Sequence, residues 1–193
     1  APLILTCGEP AGIGPELAPQ ALAAGVPFVW MGDPRHLPAG TDFAEVADPS
    51  DPVPPGTLPV LRHDFAAPAT PGTPDPANAQ GVIDVIARAV ALAMAGRAAG
   101  VVTLPISKAA LKTGAGFAFP GHTEFLAACS VEPGETPPLP VMMLWSDTLA
   151  VVPITIHVAS DIEMVSRSHC SCSLPTMVRL GSPKLLAVVS WSR

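Results

Sequence analysis

The chain has 193 residues, of which 49% are hydrophobic and 13% charged, and its formal net charge is −6. This supplies a core for one sizeable domain or two small ones and excludes a disordered segment. The 10 lysines and arginines form no basic run, which excludes a nucleic-acid surface built on phosphate neutralisation.

Pro2-Leu3-Ile4-Leu5-Thr6 is a short apolar run that stops before a glycine, the pattern of a buried strand. A glycine-rich turn follows over Gly8–Glu16. Leu17, Ala18, Ala21 and Leu22 then take helical spacing, with Pro15 suited to the first turn. Val26–Met31 predicts a second strand ending at Gly32-Asp33-Pro34. Strand, helix and strand in that order predict a parallel βαβ unit. Residues 38–76 read as loops around one strand at Leu58–Leu61. Asp75 as N-cap and Pro76 at the first helical position open a long helix carrying Val82, Ile83, Ile86, Val90 and Met94, which stops at Gly96. Gly100–Thr103 predicts another buried strand, leading through Pro105-Ile106-Ser107-Lys108 into a short helix. Gly121-His122-Thr123-Glu124 opens the next helix. Val141–Leu144 and Leu149–Thr155 predict antiparallel strands joined by a tight turn at Ser146-Asp147. The second of them delivers His157. The fold class is therefore α/β, with a first domain over residues 1–135 and the start of a second over 136–193. The tail from Ala159 has a different character, with serines alternating among His169, Cys170 and Cys172.

The remaining composition bears on location. The 25 prolines cluster in the regions read as loops. Cys7, Cys129, Cys170 and Cys172 lack zinc-knuckle spacing and read as free thiols of a reducing compartment. No basic segment with a cleavage site opens the sequence. The longest apolar run, near residues 86–95, is broken by Arg88 and is too short to cross a bilayer. A cytoplasmic protein without a membrane partner is expected.

Four places carry candidate chemistry. Gly8, Gly12 and Gly14 do not have the dinucleotide-fingerprint spacing; they make either a ligand-binding loop or simply a tight turn. Lys108, at the end of a strand, either meets a phosphate or carboxylate or is a solvated helix-start lysine. His122 and Thr123 lie where a helix N-terminus presents unpaired N–H donors, a compact anion site; alternatively Thr123 is a plain N-cap. His157 ends a strand and either ligates a metal or is structural. His36, His63 and His169 read as surface residues, Trp30 and Trp145 as core or rim, and Met142-Met143 as core.

Taken together, Thr6-Cys7-Gly8-Glu9-Pro10-Ala11-Gly12-Ile13-Gly14-Pro15-Glu16, Val102-Thr103-Leu104-Pro105-Ile106-Ser107-Lys108 and Phe119-Pro120-Gly121-His122-Thr123-Glu124-Phe125 resemble the 4-hydroxythreonine-4-phosphate dehydrogenase family of vitamin B6 biosynthesis. Val141–Leu144 and Val151–His157 continue the resemblance in order, so it covers residues 3–158. It implies an α/β/α layered, two-domain fold related to isocitrate and isopropylmalate dehydrogenases. It also implies a homodimer whose active site lies between domains and borrows residues from the partner subunit. The implied reaction is NAD-dependent oxidation of 4-phosphohydroxy-L-threonine at its C3 hydroxyl, followed by loss of CO2 to give 3-amino-2-oxopropyl phosphate. By the same resemblance His122 and Thr123 bind substrate, and His157 is one of three histidine ligands to a divalent metal (zinc, magnesium or cobalt). Such a cation polarises the hydroxyl and then the ketone oxygen, and imidazole ligands favour the transition metals.

After His157 the family pattern is lost. The N-P-H-A-G-E and H-D-Q segments that carry the other two histidines have no counterpart. This reads as a truncated or frame-shifted version of a longer chain, with an incomplete fold and an inactive copy as the expectation. Two alternatives stay open. One is a related dehydrogenase of four-carbon sugar-acid phosphates such as threonate or erythronate 4-phosphate. The other is a non-catalytic fragment that binds a phosphorylated ligand.

Overall fold

Leu3–Thr6 forms strand β1, and the sheet is ordered around it. The computed structural model describes residues 1–132, 134–146 and 148–152. After β1 come helix α1 (Gly14–Ala23), β2 (Phe28–Gly32), β3 (Phe43–Glu45), β4 (Leu58–Arg62), α2 (Ala79–Met94), β5 (Gly100–Thr103), α3 (Lys108–Ala115) and α4 (His122–Cys129). The first five strands make one parallel sheet in the order β3-β4-β2-β1-β5. The crossover through α1 runs from β1 toward β2, and that through α2 runs back past β1 to β5. Right-handed crossovers in opposite directions put these helices on opposite faces, so the sheet is the middle layer. The α/β class expected from the sequence is what the chain adopts.

The core lies where the apolar strands meet α2. Ile4, Trp30, Met31, Leu58, Val60 and Leu61 are fully enclosed, as are Val82, Val85, Ile86, Ala89 and Val90 along one stripe of the helix. Trp30, read as core or rim, is core. The helical run Pro76–Met94, at mean hydropathy 1.3, is long and apolar enough to pass for a membrane-crossing segment, and it is longer than the 86–95 run read from the sequence. Its buried stripe packs on β1, β2 and β5, which accounts for its apolarity as that of a core helix.

Local signals set the helix ends. Asp75 accepts a hydrogen bond from the Ala77 N–H at 2.9 Å and opens a single 3-10 turn, Pro76–Asn78, ahead of α2. At the other end Gly96 has φ +78°. Its N–H reaches the Ala93 carbonyl and the Arg97 N–H reaches that of Leu92, which together close a Schellman stop. Strand β3 was not anticipated. Its three residues lie in the proline-rich stretch, too short to show an alternating pattern, and gain their order from pairing with β4.

A compact unit spans Ala1–Pro138, and a second begins at Leu139. In the second unit Leu144–Trp145 (β6) and Ala150–Val151 (β7) pair antiparallel, with the Ser146 N–H donating to the Leu149 carbonyl at 2.8 Å. The pairing direction is as expected. The ladder is shorter than the predicted strands, since Val141–Met143 lie outside it. Met143 is half-exposed, so it is not the core residue its strand-like context implied. Pro153–Thr155, Asp147 and the Trp145 side chain lie outside the described residues.

Candidate functional site

Strand order reverses at β1, and in open parallel sheets the loops leaving the strands on either side of such a reversal line the ligand crevice. Here those loops follow β1 (residues 7–13) and β5 (residues 104–107). The backbone ties them together, with the Glu9 N–H donating to the Pro105 carbonyl at 2.8 Å. Gly8 makes this approach possible. Its φ is +67°, and a Cβ there would lie 2.5 Å from the same carbonyl oxygen.

The two candidate glycines differ in what surrounds them. A Cβ on Gly14 would collide with the Cys7 carbonyl oxygen, so Gly14 is required by packing at the start of α1. A Cβ on Gly12 would meet the Glu9 carbonyl oxygen at 3.2 Å, a tight but not prohibitive contact. Sequence reasoning passed over Glu9. Its side chain is nearly enclosed, and Oε1 accepts from the Ala11 N–H at 3.2 Å. Burial pushes its carboxyl above the usual range; the Ala11 N–H opposes this and the Asp75 carboxylate adds to it. Cys7 is also enclosed, and burial pushes its thiol up, making it an inert free cysteine; Cys129 is likewise unpaired.

Lys108 and His122 are brought together. Ser107 caps α3 by accepting from the Ala110 N–H at 3.3 Å, which sets Lys108 at the first helical position. Gly121 is the N-cap of α4 and offers no side chain to its free N–H groups. The Lys108 Nζ lies 3.9 Å from the point where a Gly121 Cβ would sit, and the Glu124 Oε2 lies 3.5 Å from it. His122 is partly buried, and its buried Nε2 has no hydrogen-bond partner among the described residues. Burial pulls its proton affinity down, and the neighbouring Lys108 pulls it further. Thr123 sits one residue beyond the first position of α4, so it is not the N-cap its hydroxyl had allowed. Phe117, Phe119 and Phe125 hold this end of the helix in a mutual aromatic cluster with centroids 5.1–5.4 Å apart.

Two further groups mark the same edge of the sheet. Thr6 and Thr103 are register partners at the ends of β1 and β5, and both hydroxyls are buried without a partner among the described residues. At the end of β2 the enclosed Asp33 carboxylate accepts from the Arg35 backbone N–H, the Arg35 guanidinium and the Phe65 N–H at 2.6–3.1 Å. Burial alone would raise its pKa. The Arg35 guanidinium and the two N–H groups outweigh that and hold it well below the carboxylate range.

The histidines expected at the surface are not all there. His36 is buried, with Nε2 3.1 Å from the Ala67 carbonyl and the ring edge-on to Phe65. His63 is half-buried against that same Phe65 ring. His36 is enclosed by the 63–67 segment folding back, a contact across 31 residues that nothing local announces, whereas His63 lies in that segment and meets Phe65 two residues on. His157 and His169 lie outside the described residues. Among the described residues no three His, Cys, Asp or Glu side chains converge to hold a metal ion.

Fold and site together define a parallel α/β protein with unpartnered polar groups at the C-terminal ends of its central strands. The model of the family described as pyridoxal phosphate biosynthetic protein PdxA matches residues 25–168, and the chain belongs to that family. The 4-hydroxythreonine-4-phosphate dehydrogenase of Paracoccus denitrificans (strain Pd 1222) is 66% identical over 161 residues, covering 81% of this chain and 48% of the relative. Its counterpart in Roseobacter denitrificans (strain ATCC 33942 / OCh 114) is 57% identical over 167 residues, covering 83% and 50%. The crystal structure of 4-hydroxythreonine-4-phosphate dehydrogenase from Klebsiella pneumoniae superposes with a TM-score of 0.71 at 29% identity, over 82% of this chain and 51% of that one. The chain thus spans about half the length of the curated relatives it matches.

Proposed function

We propose that this chain supplies the substrate-gripping part of an NAD-dependent 4-hydroxythreonine-4-phosphate dehydrogenase. The reaction is oxidation of 4-phosphohydroxy-L-threonine at C3 and decarboxylation to 3-amino-2-oxopropyl phosphate, a step of vitamin B6 biosynthesis. The observation that carries this is the approach of Lys108 to the uncapped N-terminus of α4, whose first two residues are His122 and Thr123 and where the first N–H groups and the ammonium favour an anion. The names of the relatives supply the substrate. Gly12 and Gly14 hold the neighbouring loop close to the strand ends, where it forms one wall of the crevice.

Within this reading the chain's own residues bind and orient. Fixing the phosphate end of a small substrate sets where its C3 carbon lies, and that positioning lowers the barrier without any chemistry by the protein. NAD would take up the hydride, and a divalent metal (zinc, magnesium or cobalt) would stabilise charge on the C3 oxygen. The described residues fit neither group, since no metal cluster converges among them and the glycine spacing is not the dinucleotide one. His157 is proposed as one metal ligand on the family resemblance alone. The working unit is proposed to be a homodimer of two-domain subunits, with a first domain over residues 1–135.

The test is to titrate the 193-residue chain with 4-phosphohydroxy-L-threonine and, separately, with threonate 4-phosphate, by calorimetry and by NADH absorbance. The proposal expects saturable binding of the first compound with clear preference over the second. Preference for threonate 4-phosphate would reassign the substrate, and binding of neither would end the reading.

A further inference from the structure

Two carboxylates are buried among the described residues, and the fold treats them in opposite ways. Asp33 is fully enclosed and well matched, by the Arg35 guanidinium and two backbone N–H groups. Glu9 is only 7% exposed, yet no cation pairs with it; the ion pairs among the described residues are Arg35–Asp33, Arg62–Glu45, Arg62–Asp64 and Arg97–Asp48. Its Oε1 accepts one long hydrogen bond, from the Ala11 N–H at 3.2 Å, and Oε2 accepts none among the described residues. That second oxygen keeps contact with solvent, unlike the sealed hydroxyls of Thr6 and Thr103 at the ends of β1 and β5. Burying a carboxylate without a cation is costly, and folds keep such a group where it serves a ligand. Glu9 is so placed. It follows β1, where the strand order reverses, and its N–H is bonded to the Pro105 carbonyl, which fixes it between the two loops of the crevice. The second of those loops runs on through Ser107 into Lys108.

We propose that Glu9 is a specificity-determining residue whose carboxylate takes the ammonium group of the substrate. This rests on the substrate reading above and deepens it. 4-Phosphohydroxy-L-threonine and threonate 4-phosphate share a carboxylate, a C3 hydroxyl and a phosphate. They differ at C2, which bears an ammonium in the first and a hydroxyl in the second. A carboxylate distinguishes the two, because the ammonium is the first compound's sole cation and gives it a charge-assisted hydrogen bond, whereas the hydroxyl brings no charge to match. A site that leaves its own buried anion unmatched is thus completed by one substrate and not by the other.

Calorimetric titration of the full chain with each compound tests this, in the unmodified protein and in Glu9→Gln and Glu9→Asp. Glutamine keeps the size of the side chain and an oxygen for the Ala11 N–H, so it removes the charge and little else. In Glu9→Gln the affinity for 4-phosphohydroxy-L-threonine is expected to fall by about tenfold or more, the loss of one charge-assisted contact, while that for threonate 4-phosphate holds or rises. Glu9→Asp, which keeps the charge, should retain part of the preference. A merely structural role would move both affinities together. Equal losses for the two compounds, or an unchanged preference in Glu9→Gln, would overturn the role of Glu9 and leave the substrate reading standing. Binding of neither compound by the unmodified chain, or its preference for threonate 4-phosphate, would remove that reading and the role of Glu9 with it.

Discussion

Glu9 shows how one side chain records a long-range fold. Its carboxylate is enclosed because the segment near residues 70–75 lies over the glycine loop, with the Gly72 N–H donating to the Ala11 carbonyl at 2.7 Å and Asp75 near enough to repel it. A carboxyl whose proton affinity is raised on folding stabilises the fold when protonated. That contribution is full below the ordinary carboxylate range and is lost as pH rises through the folded-state value. Glu9→Gln should therefore raise stability at neutral pH, with the advantage vanishing in acid; urea melts at several pH values measure it. The glycines of the same loop offer a contrast. Gly14→Ala, which drives a methyl into a backbone oxygen, should cost about 2–4 kcal/mol, while Gly12→Ala should stay within about 1 kcal/mol. Equal effects at the two positions would contradict the packing described. In the sequence the three glycines looked alike. The carbonyls of Pro105, Glu9 and Cys7 distinguish Gly8, Gly12 and Gly14 in turn, just as only the return of residues 63–67 encloses His36.

At the scale of elements, the helices were the most legible because their end signals are local. Gly96 stops α2 through its left-handed backbone, and Asp75-Pro76 starts the run that leads into it. Strand β3 escaped because three residues among prolines carry no period, and the strand predicted over Val141–Leu144 was placed too early because the apolar residues before β6 mimic a strand. Helix α3 yields a prediction opposite in sign to propensity. Replacing a glycine inside a helix with alanine ordinarily gains about 1 kcal/mol. A Cβ on Gly114 would instead strike the Pro76 carbonyl, where α3 packs against the turn preceding α2. Gly114→Ala should thus destabilise by about 2 kcal/mol or more in a denaturant melt. At Gly81, also helical, the obstacle is the Phe65 ring, and a side chain can move aside where a backbone carbonyl cannot.

At the largest scale, the βαβ pattern of the first unit predicted parallel strands, and its five strands are parallel. Their order, β3-β4-β2-β1-β5, was not legible, because the reversal at β1 depends on which edge of the sheet α2 returns to. That order predicts a gradient of protection. Backbone amides of β1 and β2, paired on both sides and enclosed, should exchange slowest with solvent, and those of β3, paired only to β4 and partly exposed, fastest. Amide exchange followed by mass spectrometry reads this directly, and slower exchange in β3 than in β1 would refute the topology.

The single N–H to carbonyl link between Glu9 and Pro105 has a mechanical consequence. It ties the loop after β1 to the loop after β5, so movement of either loop away from the other must first break that bond, at a cost of about 1 kcal/mol.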